Sequence, residues 1–352
     1  MNATESRPVR VLIVDDSALV RKLLSIGLGR DPAIEVVGQA GDPYRARDLL
    51  VELEPDVITL DVEMPRMDGV TFLRRFMPVK PTPTVVISSL TREGKRITLE
   101  ALEAGAVDVV AKPTIGLVDG MPPMLEDICR RVKMAANTNV RSFRGCRPLA
   151  AVSARVTLDE TSDRLIAIGA STGGVEALSR ILPAFPADAP GIVVVQHMPV
   201  GITANFAQRL NSLCRMQVKE AEEGDRILPG RILIAPGGYR HTCVARSGGQ
   251  YRITLKEGDA VNYSRPAIDE LFGSVAREAG RNACAALLTG MGRDGAAGLM
   301  AIRLAGGRTL AQDEATSVVF GMPQAAQQLG AAEMMVPLER IPALLIRSGA
   351  QW

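Results

Sequence analysis

The stretch Leu-Ile-Ala-Ile-Gly-Ala-Ser-Thr-Gly-Gly from Leu165 to Gly174 constrains this chain more than any other. Its apolar run, Leu165 to Ile168, reads as a buried parallel strand covered on both faces. The run breaks on Gly169-Ala170-Ser171-Thr172-Gly173, which fits G-x-S-x-G, and Val175 to Leu182 then carries helical spacing. Ser171 therefore falls on a strand-to-helix turn, the context a nucleophile elbow requires. Small flanking residues let the backbone turn sharply, and the helix N-terminus offers N–H groups to developing negative charge. A glycine-rich turn with a capping serine, or a phosphate-binding loop, fits the same stretch. The residues that follow decide between them.

Strand and helix signals alternate from there on. Gly191 to Val195 is a buried strand ending in Gln196-His197-Met198-Pro199, and Leu233 to Ala235 closes on Pro236-Gly237-Gly238. Tyr251 to Leu255 alternates like a hairpin arm. Arg265-Pro266 opens a helix running to about Ala279. Ala283 to Leu288 ends in Thr289-Gly290-Met291-Gly292-Arg293-Asp294-Gly295, a helix follows to Ala305, and Thr309 to Ala311 is the last clear strand. An activated serine needs a base, and the base needs an orienting acid. The chain holds only two histidines. His197 ends a strand expected beside the serine strand and is the favoured base, whereas His241 is expected in a loop. Asp294 ends another strand and is the favoured acid, with capping of the helix that follows it as the structural alternative. Asp269, within a helix, and Asp313, beyond a strand, are weaker candidates. The N–H groups of Met291 and Thr172 are candidate oxyanion donors. The order Ser…His…Asp excludes the α/β-hydrolase fold, and residues 169–174 do not fit G-x-G-x-x-G.

The first half alternates strand and helix five times. Its strands are Val9 to Val14, Ile34 to Val37, Val57 to Leu60, Thr84 to Ile87 and Val107 to Val110. Ser17 caps the first helix, Ala18 to Gly29, and Tyr44 to Leu53 is the second. Such a series implies a doubly wound parallel sheet whose functional edge lies at the strand C-termini. Asp15, Asp16, Asp61, Ser88 and Lys112 all fall at those ends. Three carboxylates brought together repel unless a cation compensates, and an all-oxygen cluster favours Mg²⁺.

At 352 residues the chain has room for two α/β domains. The expected division is a first domain over 1–134, a linker over 135–162 with scattered arginines, and a second domain over 163–352. The net charge of +2 gives no long-range reason to expect nucleic acid or an anionic membrane. The five cysteines contain no C-x-x-C pair, which indicates neither a zinc site nor a disulfide framework. No apolar run of about 18 residues occurs, so a cytoplasmic protein without membrane insertion is expected.

Val14-Asp15-Asp16-Ser17, Leu-Asp-Val-Glu-Met-Pro-Arg-Met-Asp-Gly at 60–69, Ser88-Ser89 and Lys112-Pro113 resemble a response-regulator receiver domain. The resemblance implies Asp61 as phospho-acceptor, Asp15 and Asp16 as Mg²⁺ ligands beside it, Ser88 as the phosphoryl-sensing hydroxyl and Lys112 as its cation. Val109 departs from the pattern, since many receivers carry an aromatic switch residue there. Ile-Gly-Ala-Ser-Thr-Gly-Gly, Gln-His-Met-Pro, Ile-Ala-Pro-Gly and Leu-Thr-Gly-Met-Gly-Arg-Asp-Gly-Ala-Ala-Gly closely resemble the chemotaxis receptor methylesterases, the CheB family. Gln312-Asp313-Glu314-Ala315 and Val319-Phe320-Gly321-Met322-Pro323 extend the likeness toward the C-terminus. It implies hydrolysis of γ-glutamyl methyl esters on methyl-accepting chemotaxis receptors, with release of methanol, and deamidation of receptor glutamines. It also implies phosphate delivered by the histidine kinase CheA and an esterase restrained until Asp61 is phosphorylated, with no metal in the esterase domain. Two rivals are a receiver-controlled docking module without turnover and a transcription factor, and the second lacks a basic helix-turn-helix signal.

Overall fold

The structure, a computed structural model, describes residues 7–89, 91–112, 117–138, 140, 147–151 and 163–347. Pro113, Cys146 and most of the expected linker lie outside them. The chain divides into two α/β units, Met1–Gly145 and Cys146–Trp352.

In the first unit β1 (Val9–Val14), β2 (Ile34–Ala40), β3 (Val57–Asp61), β4 (Thr84–Ser88) and β5 (Asp108–Ala111) form one sheet in the order β2-β1-β3-β4-β5, paired parallel throughout. Helices α1 (Ala18–Leu28), α2 (Pro43–Leu53), α3 (Gly69–Phe76), α4 (Arg92–Glu103) and α5 (Leu117–Ala135) connect and cover it. Side-chain oxygens start the first four: Ser17 caps α1, Asp42 caps α2 ahead of Pro43, Asp68 caps α3 and Thr91 caps α4. Val11 and Ile13 of β1, Leu24 and Leu28 of α1, and Ile128 and Val132 of α5 share one core cluster. Ala135 and Val140 are buried in the same cluster, which carries this unit past residue 134.

The second unit contains β6 (Leu165–Ala170), α6 (Gly174–Ile181), β7 (Gly191–Gln196), α7 (Ile202–Asn211), β8 (Gln217–Glu220) and β9 (Arg231–Ile234). A hairpin of β10 (Arg240–Ser247) and β11 (Gln250–Glu257) follows, then α8 (Ile268–Ala279), β12 (Ala283–Leu287) and α9 (Ala296–Leu304). The unit ends with β13 (Arg308–Gln312), α10 (Met322–Leu329), β14 (Met334–Val336) and α11 (Ile341–Ile346). Seven strands make a parallel sheet in the order β14-β13-β12-β6-β7-β9-β8. Every residue of β6, β7 and β12 is buried, as central strands covered on both faces must be. From the expected linker, the Leu149 N–H donates to Arg180 O at 3.0 Å and so belongs with this unit.

Two outer strands differ from the sequence reading. β8 and β14 flank the sheet with the short segments Gln-Val-Lys-Glu and Met-Met-Val, so β13 is not the last strand. Edge strands are short or charged and bury one face at most, which removes the long apolar run that marks an interior strand. His241 also departs from expectation: it lies in β10, not a loop, and pairs with Lys256 across the hairpin. No helix among the described residues is long and apolar enough to cross a membrane.

Candidate active site

Parallel sheets bind ligands beyond the strand C-termini, where the strand order reverses direction. In the second sheet the chain starts at β6, runs outward through β7 and returns to β12 on the other side. Ser171 follows β6, His197 follows β7 and Asp294 follows β12, so three adjacent strand ends deliver them.

The serine turn is shaped by its neighbours. The Ser171 N–H donates to Thr289 O at 3.0 Å, and the Gly174 N–H donates to Ser171 O at 2.8 Å, closing the turn into α6. Gly173 has φ 77°, and a Cβ there would stand 2.6 Å from Val318 Cβ, so both conformation and space demand glycine. Gly290 allows the opposite loop to close in: a Cβ on it would lie 2.7 Å from Ser171 Cβ. Gln196 has no role evident in the sequence, yet its Nε2 donates to Ser171 O at 2.8 Å and His197 O at 3.1 Å. One amide thus bridges the backbones of both residues. Its position directly before His197 at a strand end was the available signal.

His197 Nδ1 lies 3.1 Å from Ser171 Oγ, and Nε2 lies 2.8 Å from Asp294 Oδ2. Asp294 does not cap the helix after it, where Gly295 occupies the cap without a side-chain bond. It caps α8 instead, accepting the Ile268 N–H on Oδ2 at 2.8 Å and the Asp269 N–H on Oδ1 at 3.1 Å. Burial pushes the Asp294 carboxyl up, but the hydrogen bond and charge of His197 and those two N–H groups outweigh it and hold it below its ordinary range. An ionised Asp294 is only an acceptor, so the His197 proton sits on Nε2 and the Nδ1 lone pair faces Ser171. The ring nitrogens have exchanged the roles they take in the serine-protease template.

Thr172 is buried, and its carbonyl accepts Thr289 Oγ1 at 3.0 Å. Met291 follows Gly290 on the loop facing Ser171. Asp269 spends its carboxylate on the Gly298 N–H at 2.7 Å and Asn262 Nδ2 at 3.0 Å, and burial, with the charge of Asp294, pushes it up. Asp313 accepts the Thr316 N–H at 3.0 Å in a local turn. His241 is buried, with Nε2 2.9 Å from Asp259 O and Nδ1 accepting the Ala267 N–H at 3.1 Å. Its hydrogen bonds serve packing beside α8.

The first unit repeats the logic at its own reversal, between β1 and β3. Carboxylate oxygens of Asp15, Asp16 and Asp61 lie within 4.8 Å of one another. Lys112 Nζ reaches Asp61 Oδ2 at 2.6 Å and Asp15 Oδ2 at 3.1 Å. At Asp61 burial outweighs the lysine and raises the carboxyl, with Asp15 adding to the rise. At Lys112 burial is outweighed by Asp61 and Asp15, so the ammonium is kept. Three clustered carboxylates against one ammonium are a hard, anionic oxygen set that fits Mg²⁺. The Ser88 hydroxyl donates to Ser89 O at 3.2 Å and accepts from Thr98 Oγ1 at 2.8 Å, while Val109 is buried in β5.

Known proteins carry the same two units. The CheB methylesterase family matches residues 166–345, and the response regulator receiver domain family matches residues 11–116. A protein-glutamate methylesterase/protein-glutamine glutaminase of Syntrophotalea carbinolica is 54% identical over 97% of this chain and 97% of its own length. One of Pseudomonas aeruginosa is 53% identical over 98% of each. The crystal structure of the Thermotoga maritima CheB methylesterase catalytic domain, 40% identical, covers 53% of this chain and 98% of that one with a TM-score of 0.51. The chain belongs to the CheB methylesterase family, with a receiver domain ahead of its esterase domain.

Proposed function

We propose that this chain is a phosphorylation-regulated protein-glutamate methylesterase and protein-glutamine glutaminase acting on methyl-accepting chemotaxis receptors. The observation that carries the reading is the hydrogen-bonded chain Ser171 Oγ–His197–Asp294 at one sheet edge. Ser171 is the nucleophile, His197 the base and Asp294 the residue that fixes the tautomer. Ser171 Oγ attacks the γ-carbonyl carbon while its proton passes to His197 Nδ1. The N–H groups of Thr172 and Met291 serve the developing oxyanion. The C–O bond to the methoxy group then breaks, Nδ1–H protonates it, and methanol leaves. Water, deprotonated by His197, cleaves the acyl-serine and frees the glutamate carboxylate. With a glutamine substrate the leaving group is ammonia. No step in this unit calls for a metal ion.

Asp61 is the phospho-acceptor, supplied by the histidine kinase CheA. Asp15, Asp16 and Asp61 would hold Mg²⁺, which when bound neutralises the phosphoryl oxygens. Lys112, which bonds Asp61 and Asp15, is the cation for the same oxygens, and Ser88 is the hydroxyl that responds to them. Receptors are the only membrane-bound partner in this scheme, and the enzyme works from the cytoplasm. Methanol release from methylated receptor membranes tests the reading. Wild type should release it and Ser171→Ala should not, with its melting temperature kept. Equal release by both would remove Ser171 from the mechanism.

A further inference from the structure

The base has a second hydroxyl beside it. Ser264 Oγ stands 3.3 Å from His197 Nδ1, the same nitrogen that faces Ser171. Ser264 closes a two-residue turn in which the Val261 N–H donates to Ser264 O at 3.1 Å and the Ser264 N–H donates to Val261 O at 2.9 Å. The two central residues, Asn262 and Tyr263, have φ of 49° and 64°. Turns with both central residues left-handed usually carry Asn-Gly, and an aromatic side chain there is strained. Such strain is retained where surrounding contacts over-determine it. The contacts here lead into the active site: Asn262 Nδ2 reaches Asp269 Oδ2 at 3.0 Å and Asp294 Oδ1 at 3.4 Å. A single turn therefore touches the base through Ser264 and the acid through Asn262.

We propose that Ser264 is a positioning residue for His197, acting chiefly after Ser171 has been acylated. The proposal rests on the esterase reading above. Neutral imidazole offers one lone pair at Nδ1, which the two hydroxyls share in the free enzyme. Acylation turns Ser171 Oγ into an ester oxygen, which has no proton and is a poor acceptor. Ser264 then remains to hold the ring: its O–H donates to neutral Nδ1, and its oxygen accepts Nδ1–H once His197 has taken a proton from water. Hydrogen bonds to charged groups are the stronger kind, so the contact matters most when the ring is charged. Ser264 itself exchanges no proton with substrate.

The full chain tests this, because its two histidines give a readily assigned set of ring signals. With ¹⁵N-histidine label, Ser264→Ala should move the His197 Nδ1 resonance and leave those of His241 in place. On methylated receptor membranes Ser264→Ala should lower kcat about 10- to 100-fold, the worth of one hydrogen bond to a charged group. Acid-quenched samples should hold a larger fraction of acyl-enzyme than wild type by mass spectrometry. Ser264→Thr, which keeps the hydroxyl, should restore both rate and resonance. An unmoved His197 signal, an unchanged kcat, or a loss that threonine does not restore would each overturn the proposal. If wild type releases no methanol, the esterase reading fails instead, while the ring signals still report on the Ser264 contact.

Discussion

Exchanging Asp294 for asparagine removes one charge and puts a donor where four groups already donate: His197 Nε2, the N–H groups of Ile268 and Asp269, and Asn262 Nδ2. The new amide has two placements. With its NH₂ toward His197, it faces the Nε2–H and the Ile268 N–H, and His197 must shift its proton to Nδ1, the nitrogen that should accept from Ser171. With its oxygen toward His197 the tautomer is kept, but the NH₂ confronts the Asp269 N–H. Either placement strands a backbone donor, the Ile268 N–H or the Asp269 N–H, at a cost to the folded state of about 1–3 kcal/mol. Loss of the charge removes roughly another 1.5–3 kcal/mol of support for the imidazolium. With the misplaced proton of the first placement added, the loss is some 10²- to 10⁴-fold in rate, the upper end being about what the same exchange costs in the serine-protease template. Methanol release by Asp294→Asn, measured beside wild type and Ser171→Ala at equal folded concentration, reads this out. A loss of less than tenfold would refute the reasoning. The stranded N–H also lowers the melting temperature by about 2–4 °C per kcal/mol lost. The folded Asp294 carboxyl titrates below its unfolded value, so its ionised form stabilises the fold at neutral pH, and the contribution is lost as pH falls through the folded value. The stability gap between wild type and Asp294→Asn should accordingly narrow below about pH 4 in calorimetric scans. A gap that widens there would contradict the sign.

The two histidines should separate. His197→Gln should lose activity as deeply as Ser171→Ala, because triad members act as a unit, whereas His241→Gln should mainly lower the melting temperature by breaking the contacts to Ala267 and Asp259; the reverse pattern would reassign the base. With a small phosphodonor and Mg²⁺, Asp61→Asn should stay at the basal rate while wild type is stimulated, and stimulation that survives the substitution would remove Asp61 from its role. A fragment from Asp163 to Trp352 should outpace the unphosphorylated full chain on receptor membranes, and equal rates would dismiss restraint by the receiver.

Interior strands were legible because burial on both faces forces unbroken apolar runs, as in Ile-Ala-Ile of β6 and Gly-Ile-Val-Val-Val of β7. A polar residue directly after such a run has to sit at the sheet edge, which is why Ser171, His197, Asp15, Asp61 and Lys112 stand out in the primary structure, while Asp294 stands out in the glycine-rich loop that follows β12. The outer strands β8 and β14 carry no such run, and His241 looked like a loop residue because Gly237-Gly238 precedes a strand whose first residue is exposed. Contacts made across the fold left no local mark. Which helix Asp294 caps depends on α8 reaching the end of β12, about twenty-five residues back in sequence. Ser264 sits in Val-Asn-Tyr-Ser, where the absence of glycine hides a turn that only its surroundings enforce.

The N-terminus of α8 explains why an aspartate serves here on physical grounds that precede catalysis. The first backbone N–H groups of a helix have no partner within it. Three consecutive donors at this end find side chains instead: Ala267 gives to His241 Nδ1, Ile268 to Asp294 Oδ2 and Asp269 to Asp294 Oδ1. The first acceptor requires a neutral histidine, and the other two are best met by an ionised carboxylate, which the helix dipole also favours. The buried carboxylate is thereby kept charged before substrate arrives, and its remaining capacity faces His197 Nε2. The helix end fixes the charge of the acid, the acid fixes the proton of His197, and that proton leaves Nδ1 open to Ser171. Each link removes one freedom that the transition state would otherwise have to restrict.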